Sequence, residues 1–351
     1  MSDGHSLVET PELAALHRRL AEYSLGGHWQ LREKNPELVA HLWPWSVIYS
    51  CLMESGDVVK LGGIDDAAKR RTVQLVNPSL TNKKATTRTL QMSIQLVKAG
   101  ERAECHRHTA AALRFVVEAD GTAYTNVEGE QMRMEPGDLV LTPNWTWHDH
   151  FNPGDNNVVW LDVLDIHLSN HLDAVFQENY GEGPAQPIVK SDGYCKQRLG
   201  AIRPRVKNAS NAVPYTYKWR DTLRALQEIA GAGGNEPHDG VLLEYVHPLT
   251  GGPTMPTIGC WVQWLRPGET TKPHRHTSST IYHVVEGEGI TTVGPKKTAG
   301  KELGWRSRDC FFVPSWNWHQ FQNTSKKEPA IIFSVTDRPV LESLGLFREE
   351  A

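Results

Sequence analysis

No CxxC pair, no long apolar run and no excess of basic charge occur in this chain of 351 residues. Each absence removes a class of function. The five cysteines, Cys51, Cys105, Cys195, Cys260 and Cys310, are odd in number and scattered. They read as reduced thiols of a cytoplasmic protein, not as a disulfide framework or a zinc site; Cys105 reads as a small core residue. No stretch is apolar for long enough to span a bilayer. Met1-Ser2-Asp3-Gly4-His5 lacks the basic region and apolar core of a signal peptide. A formal net charge of -4 gives no reason to expect a nucleic-acid partner or an anionic membrane surface. What remains is a folded, soluble chain of a length that suits two domains.

What is present is histidine in one pattern. Glu104-Cys105-His106-Arg107-His108-Thr109 is answered by Trp147-His148-Asp149-His150-Phe151-Asn152. Side chains at i and i+2 of a strand share a face, so His106 and His108 stand side by side. His148, from a neighbouring strand, completes a set of neutral nitrogen ligands that suits a divalent first-row metal. Such a set leaves other positions open for substrate and oxygen. His150, if its segment is extended, points into the same pocket as His148, placed as an acid/base or a hydrogen-bond donor to bound oxygen. The plainer alternative for His150 is packing.

Around this pattern the chain divides into segments. Residues 1–69 read as an N-terminal helical segment. Thr10-Pro11-Glu12 is a helix start followed by Leu13, Leu16 and Leu20 on one stripe. A second apolar part runs from Leu42-Trp43-Pro44-Trp45 to Met53. His5, His17, His28 and His41 read as surface or packing residues. Residues 70–167 read as short strands divided by turns such as Asp120-Gly121 and Pro136-Gly137-Asp138. The strands include Val73–Val76, Thr89–Val97, Leu113–Val117 and Val158–Ile166, and together they predict an antiparallel sandwich or barrel. Residues 168–240 form a connector with one helix, Trp219 to Ala230, stopped by Gly231-Ala232-Gly233-Gly234. His167, His171 and His238 read as structural.

Residues 241–338 then repeat the first unit. His274-Arg275-His276-Thr277 echoes His106-Arg107-His108-Thr109. Val313-Pro314-Ser315-Trp316-Asn317-Trp318-His319 echoes the approach to His148, and Asn323 follows His319 at the offset of Asn152 from His148. The tail, 339–351, carries a short helix from Pro339 to Arg348.

A glycine, HxH, a Gly/Pro turn and a third histidine followed by xxxN, all twice in one chain, resembles the bicupin family. Within it the chain is similar to the gentisate 1,2-dioxygenase and salicylate 1,2-dioxygenase group. The shared stretches are His106-Arg107-His108-Thr109 running into Ala112-Leu113-Arg114-Phe115, Trp147-His148-Asp149-His150, and Gly240-Val241-Leu242-Leu243-Glu244-Tyr245 with Thr250-Gly251-Gly252-Pro253. The resemblance implies a mainly β bicupin: two double-stranded β-helix, or jelly-roll, barrels behind an N-terminal helical segment. It implies an Fe(II) enzyme on His106, His108 and His148 that opens gentisate or a 5-substituted salicylate such as 5-nitrosalicylate with O2. It also implies a cytoplasmic homotetramer whose partners are a small aromatic hydroxy acid and O2. The glutamate that other metal cupins carry after HxH is replaced by Ala112 and Leu113 in the first copy, and by Thr280 and Ile281 in the second. That favours an all-histidine iron site over the manganese oxalate enzymes.

By the same resemblance Arg114 binds the substrate carboxylate, which matches a guanidinium fork. Arg70 is the second anchor, with neighbouring Arg71 as the alternative. Gln91 would face the ring, either bonding a polar 5-substituent or lining the wall. In the second copy Tyr282 and Phe321 stand where Arg114 and His150 stand in the first, so His274, His276 and His319 read as a structural copy, empty or incidentally metallated. The alternatives to ring cleavage are another cupin oxygenase, quercetinase-like, and a non-catalytic bicupin that binds an aromatic acid.

Overall fold

The computed structural model describes residues 9–29, 35–59, 70–198 and 213–351; His5 lies outside them. The chain divides into Met1–Glu37 and Leu38–Ala351. In the first unit, helix α1 (Pro11–Glu22) starts where the sequence predicts. The Thr10 hydroxyl accepts from Leu13 N at 3.2 Å, and proline occupies the first turn. His17 bridges Glu9 and Trp29 at 3.2 and 3.1 Å.

The larger unit opens with β1 (His41–Trp43) and α2 (Trp45–Val58). The first barrel follows as β2 (Thr72–Gln74), β3 (Gln91–Val97), β4 (Arg102–His108), β5 (Ala112–Glu118), β6 (Tyr124–Val127), β7 (Glu130–Arg133), β8 (Leu139–Thr142), β9 (His148–Phe151) and β10 (Val158–Leu164). The connector carries α3 (Ile166–His171), β11 (Gln177–Asn179), α4 (Tyr194–Arg198), β12 (Thr216–Tyr217) and α5 (Trp219–Gly231). The second barrel is β13 (Val241–Glu244), β14 (Gly259–Leu265), β15 (Arg275–His276), β16 (Thr280–Glu286), β17 (Glu288–Lys296), β18 (Ala299–Arg306), β19 (Cys310–Val313), β20 (Trp318–Asn323) and β21 (Ala330–Thr336). Helix α6 (Arg338–Ser343) and β22 (Glu349–Glu350) follow.

Two antiparallel sheets make the first barrel, in orders β12-β8-β5-β10-β3-β2 and β11-β4-β9-β6-β7. The second barrel has β1-β19-β16-β21-β14-β13 opposite β18-β17-β20, with β15 paired to β22. Alternation along the strands decides what each face buries. Met92, Ile94 and Leu96 of β3 join Phe333 and Val335 of β21 in one core between the barrels, where Phe115 stacks on Phe333 at 4.3 Å. Val116, Val140 and Trp160 fill the first barrel, and Tyr282, Val284 and Phe321 the second.

Three expectations change. His41–Trp43 is a strand, not helix: it pairs with Cys310–Phe312 of the second barrel. Proline at 44 disfavours the α region at Trp43 and then starts α2. The connector carries three helices among the described residues, not one, and its β11 and β12 each add an edge strand to the first barrel's sheets. The closing helix is shorter than read, ending at Ser343 before β22 pairs with β15.

Candidate metal centre and substrate cavity

The register of β4 against β9 sets His106 opposite His148. His108 shares the face of His106 because it lies two residues on in the same strand. The ring centroids stand 5.2 Å (His106–His108), 4.3 Å (His106–His148) and 4.9 Å (His108–His148) apart. One nitrogen from each lies within 4.8 Å of the others. Each Nδ1 faces a backbone carbonyl two residues away along the chain: Glu104 O at 3.1 Å, Ala110 O at 2.8 Å and Thr146 O at 2.9 Å. A carbonyl accepts only, so at His108 and His148 it holds the proton on Nδ1 and leaves Nε2 as a free lone pair; at His106 the same nitrogen also meets the Arg70 Nη2 donor at 2.7 Å. Among the described residues His148 Nε2 is buried without a protein partner, which suits a cation as its partner. Burial, and next the Arg70 guanidinium, push His106 down to about 3; burial also lowers His108 and His148. The imidazoles are therefore neutral ligands near neutral pH, and the donor set fits a divalent first-row metal.

The turn that delivers His148 is strained. Trp145 adopts φ 60°, a left-handed conformation that costs a bulky residue about 1 kcal/mol or more. Arg107 stacks on both Trp145 and Trp147 at 4.5 Å and pairs with Glu178 of β11 at 2.6 Å. The arginine between the two histidines thus pins the third histidine's loop and the edge strand together.

Beside the histidines lies a cavity of about 320 Å³, lined among others by Arg70, His106, His108, Arg114, Asp162, Leu164, Gln177 and Asn179. Arg114 is 3 % exposed and donates from Nη1 to Thr142 Oγ1. Its Nε lies 3.6 Å from Asp162 Oδ1. Arg70 Nη2 donates to Glu104 O at 2.9 Å and lies 2.7 Å from His106 Nδ1. Burial, and then the like charge of Arg114, lower Arg70 to about 10. Two guanidiniums that line one cavity, with the charge of Arg114 lowering Arg70, want an anion between them. Arg71 turns the other way: it is buried, and grips Glu101 at 2.7 and 3.0 Å.

His150 is buried, with Nδ1 2.9 Å from Thr125 Oγ1 and, among the described residues, no protein partner for Nε2. Its ring centroid is 5.9 Å from that of His148. Gln91 does not face the cavity. Its amide nitrogen donates to Thr86 Oγ1 at 3.0 Å and Met92 O at 2.8 Å, and its oxygen lies 3.0 Å from His167 Nε2. That network fixes the side chain at the end of β3, and gives His167 a partner that spacing alone does not suggest. Cys105 is buried, and burial pushes its thiol up to about 12, which suits an inert core residue.

Sequence reasoning missed Asp162 and β11. Asp162 is a lone carboxylate within the apolar run Val158–Leu164. A charge in a core strand signals either a partner or a function. Gln177 and Asn179 pair with His108 and His106, in a strand too short to leave a periodic trace.

In the second barrel Tyr282 takes the register position of Arg114 and Ser334 that of Asp162. Phe321 takes that of His150. The cavity there is about 70 Å³.

Comparisons with known proteins bear on the family and the fold. A family model described as "Cupin domain" matches residues 93–164 and 261–336. The chain is 39% identical to 5-aminosalicylate 1,2-dioxygenase of Comamonas sp, over 97% of this chain and 90% of that protein. It is 33% identical to gentisate 1,2 dioxygenase 1 of Aquipseudomonas alcaligenes, over 97% of this chain and 96% of that one. Among solved structures it is similar to the salicylate 1,2-dioxygenase from Pseudoaminobacter salicylatoxidans in an adduct with gentisate. The TM-score is 0.86 at 30% identity, covering 100% of this chain and 96% of that one.

Proposed function

The chain belongs to the bicupin ring-cleaving dioxygenases of the gentisate and salicylate 1,2-dioxygenase group, and from that premise we propose which residues do the work and on what. It is an oxidoreductase that opens gentisate or a 5-substituted salicylate between the carboxyl- and hydroxyl-bearing carbons, with both atoms of O2 incorporated. The catalytic unit is the first barrel, 70–167, and the metal is Fe(II) on His106, His108 and His148. Iron(II) supplies the one-electron chemistry that ground-state dioxygen requires.

The chain's own groups do the rest. Arg114 and Arg70 receive the substrate carboxylate as a bidentate or shared charge-assisted pair, which fixes the ring's orientation. Arg71, spent on Glu101, does not take part. His150 holds its Nδ1 against the Thr125 hydroxyl. When that O–H donates to Nδ1, the proton sits on Nε2, which then serves as a hydrogen-bond donor to oxygen-bearing groups in the site. Burial lowers His150 well below the ordinary value, so this donor is neutral. Asp162 adds an acceptor to the cavity wall, favouring a hydroxyl or amino group on the ring over a nitro group, which can only accept.

One observation carries this reading: two guanidiniums, Arg70 and Arg114, line a single cavity with His106 and His108 of the histidine cluster. The test is oxygen uptake by iron-loaded protein with gentisate and 5-aminosalicylate, and its fall in Arg114→Ala with iron retained. We further read the protein as a cytoplasmic homotetramer. Its cysteines, odd in number and scattered, suit a reducing compartment. The exposed Leu172, Phe176, Leu344 and Leu346 supply apolar surface for association.

A further inference from the structure

We propose that Asp165 positions the metal ligand His108 through a single peptide group, and that the second barrel keeps this carboxylate in place with the hydroxyl of Thr257. Asp165 is a positioning residue for the reaction, and the inference rests on the metal site assigned above to the first barrel.

Asp165 follows β10 directly. Its Oδ1 accepts from Ala111 N at 2.8 Å. That N–H belongs to the Ala110–Ala111 peptide, whose carbonyl, Ala110 O, accepts from His108 Nδ1 at 2.8 Å. One peptide plane therefore carries the carboxylate at one end and the imidazole at the other. A carboxylate on the N–H polarises the carbonyl and strengthens its bond to Nδ1–H. A stronger bond there fixes the ring's orientation and makes Nε2 a better donor to a metal. The arrangement is a carboxylate–histidine pair with a peptide between its members.

The other oxygen of Asp165 reaches the second barrel. Thr257, two residues before β14, donates from Oγ1 to Asp165 Oδ2 at 2.6 Å, the length of a charge-assisted O–H···O bond. Asp165 is buried. Burial raises its carboxyl, and the Thr257 hydroxyl comes ahead of Ala111 N among the donors that oppose the rise.

The second barrel repeats every link. Asp337 follows β21 and accepts from Ser279 N at 2.9 Å. The Ser278–Ser279 peptide presents Ser278 O to His276 Nδ1 at 3.0 Å, where Ser278 Oγ also lies at 2.9 Å. Thr89, two residues before β3, donates from Oγ1 to Asp337 Oδ2 at 2.7 Å and lies 3.2 Å from Thr87 Oγ1. Each barrel thus lends a hydroxyl to the other's carboxylate. Docking alone needs no such exchange, because apolar side chains of both barrels already share a core. Buried carboxylates are costly, and both of these are spent on the peptide that faces a cluster histidine. At His148 the Thr146–Trp147 peptide is held in a similar way, with Trp147 N donating to Glu128 at 2.7 Å. Glu128 is exposed and screened by water, so the charge behind His108 acts with less screening.

The test follows iron(II) leaving the full chain. Iron-loaded protein is mixed with an excess of a ferrous chelator, and release is read from the colour of the chelate. The phase missing from His108→Ala reports the first barrel, whether or not oxygen is consumed. Thr257→Val, nearly isosteric, should speed that phase about tenfold, the low end for an outer partner of a ligand. Thr257→Ser should restore the wild-type rate. Asp165→Asn keeps the shape of the side chain and removes its charge, and should speed the phase at least as much. Thr89→Val removes the mirrored hydroxyl, so it should lower the melting temperature of metal-free protein as Thr257→Val does, yet leave the phase unchanged. Wild-type release in either Thr257→Val or Asp165→Asn overturns the proposal; should one of the two not fold, the other decides. Thr89→Val as fast as Thr257→Val also overturns it, since the crossed bonds would then be general fastenings between barrels. Absence of any phase lost in His108→Ala removes the metal assignment and this inference with it. The expected rates in protein that leaves gentisate intact would remove the proposed reaction and support the relay.

Discussion

Arg114 and Asp162 are register partners on β5 and β10, yet Arg114 Nε and Asp162 Oδ1, 3.6 Å apart, are both buried without a hydrogen bond among the described residues. The pair neutralises charge without using up its donors and acceptors. Burial lowers the Arg114 guanidinium, and the Asp162 charge opposes that. A buried arginine with unspent donors at a cavity wall is poised for a carboxylate. Arg114→Ala should lower kcat/KM for gentisate by about 10- to 150-fold, the equivalent of about 1.5–3 kcal/mol for a charge-assisted hydrogen bond. Metal content should not change. Steady-state kinetics with metal analysis of the same samples checks this; unchanged kcat/KM would remove Arg114 from the binding site.

Asp162 should tune substrate range. Asp162→Asn keeps the volume but gives the wall a donor. Turnover of 5-nitrosalicylate relative to 5-aminosalicylate should rise, by about tenfold for one exchanged hydrogen bond of roughly 1.4 kcal/mol. Competition between the two substrates measures that ratio. A ratio equal to the wild type's would place Asp162 away from the ring substituent.

Neighbouring arginines should separate cleanly. Arg70→Ala should raise KM for gentisate by about tenfold or more, since it removes a charge-assisted contact, with little change in melting temperature. Arg71→Ala breaks a buried bidentate pair with Glu101 and should destabilise by about 3 kcal/mol, with KM nearly unchanged. The reverse pattern would exchange their roles.

Acid should destabilise the metal-free protein. His283, between the barrels against Phe115, is pushed down to about 3 from the ordinary 6.5, first by burial and then by the Arg308 charge. His106 and His276 are likewise lowered, to about 3 and about 4. The unfolded chain takes up protons below 6.5 that the folded chain refuses. Stability is therefore full above pH 6.5 and is lost as pH falls towards 3, at up to about 1.4 kcal/mol per pH unit for each such histidine. Urea midpoints at pH 7.5 and 5.5 should differ, and His283→Gln should reduce the difference. Equal midpoints would mean that these histidines charge freely in the folded state.

Much of this was readable from the sequence because strand periodicity is local. His106-Arg107-His108 puts two candidate ligands on one face with no knowledge of the rest of the chain, and a repeat of the pattern marks the second barrel. The unreadable parts depend on partners distant in sequence. Gln91 points where Thr86 and His167 hold it, and His167 is 76 residues away. His41–Trp43 is a strand because a sheet edge in the second barrel, Cys310–Phe312, offers it hydrogen bonds. Asp162 is visible in the sequence as a charge out of place, but only the β5–β10 register shows that Arg114 answers it. The edge strands β11 and β22 are three and two residues long, too short for any pattern.

The most direct measurement follows iron-loaded wild-type protein turning over 5-aminosalicylate under isotopically labelled dioxygen, with product masses read by spectrometry. The account predicts one O2 consumed per substrate, and a ring-opened product carrying both labelled atoms. Intact substrate, or a product carrying one labelled atom or none, would contradict it.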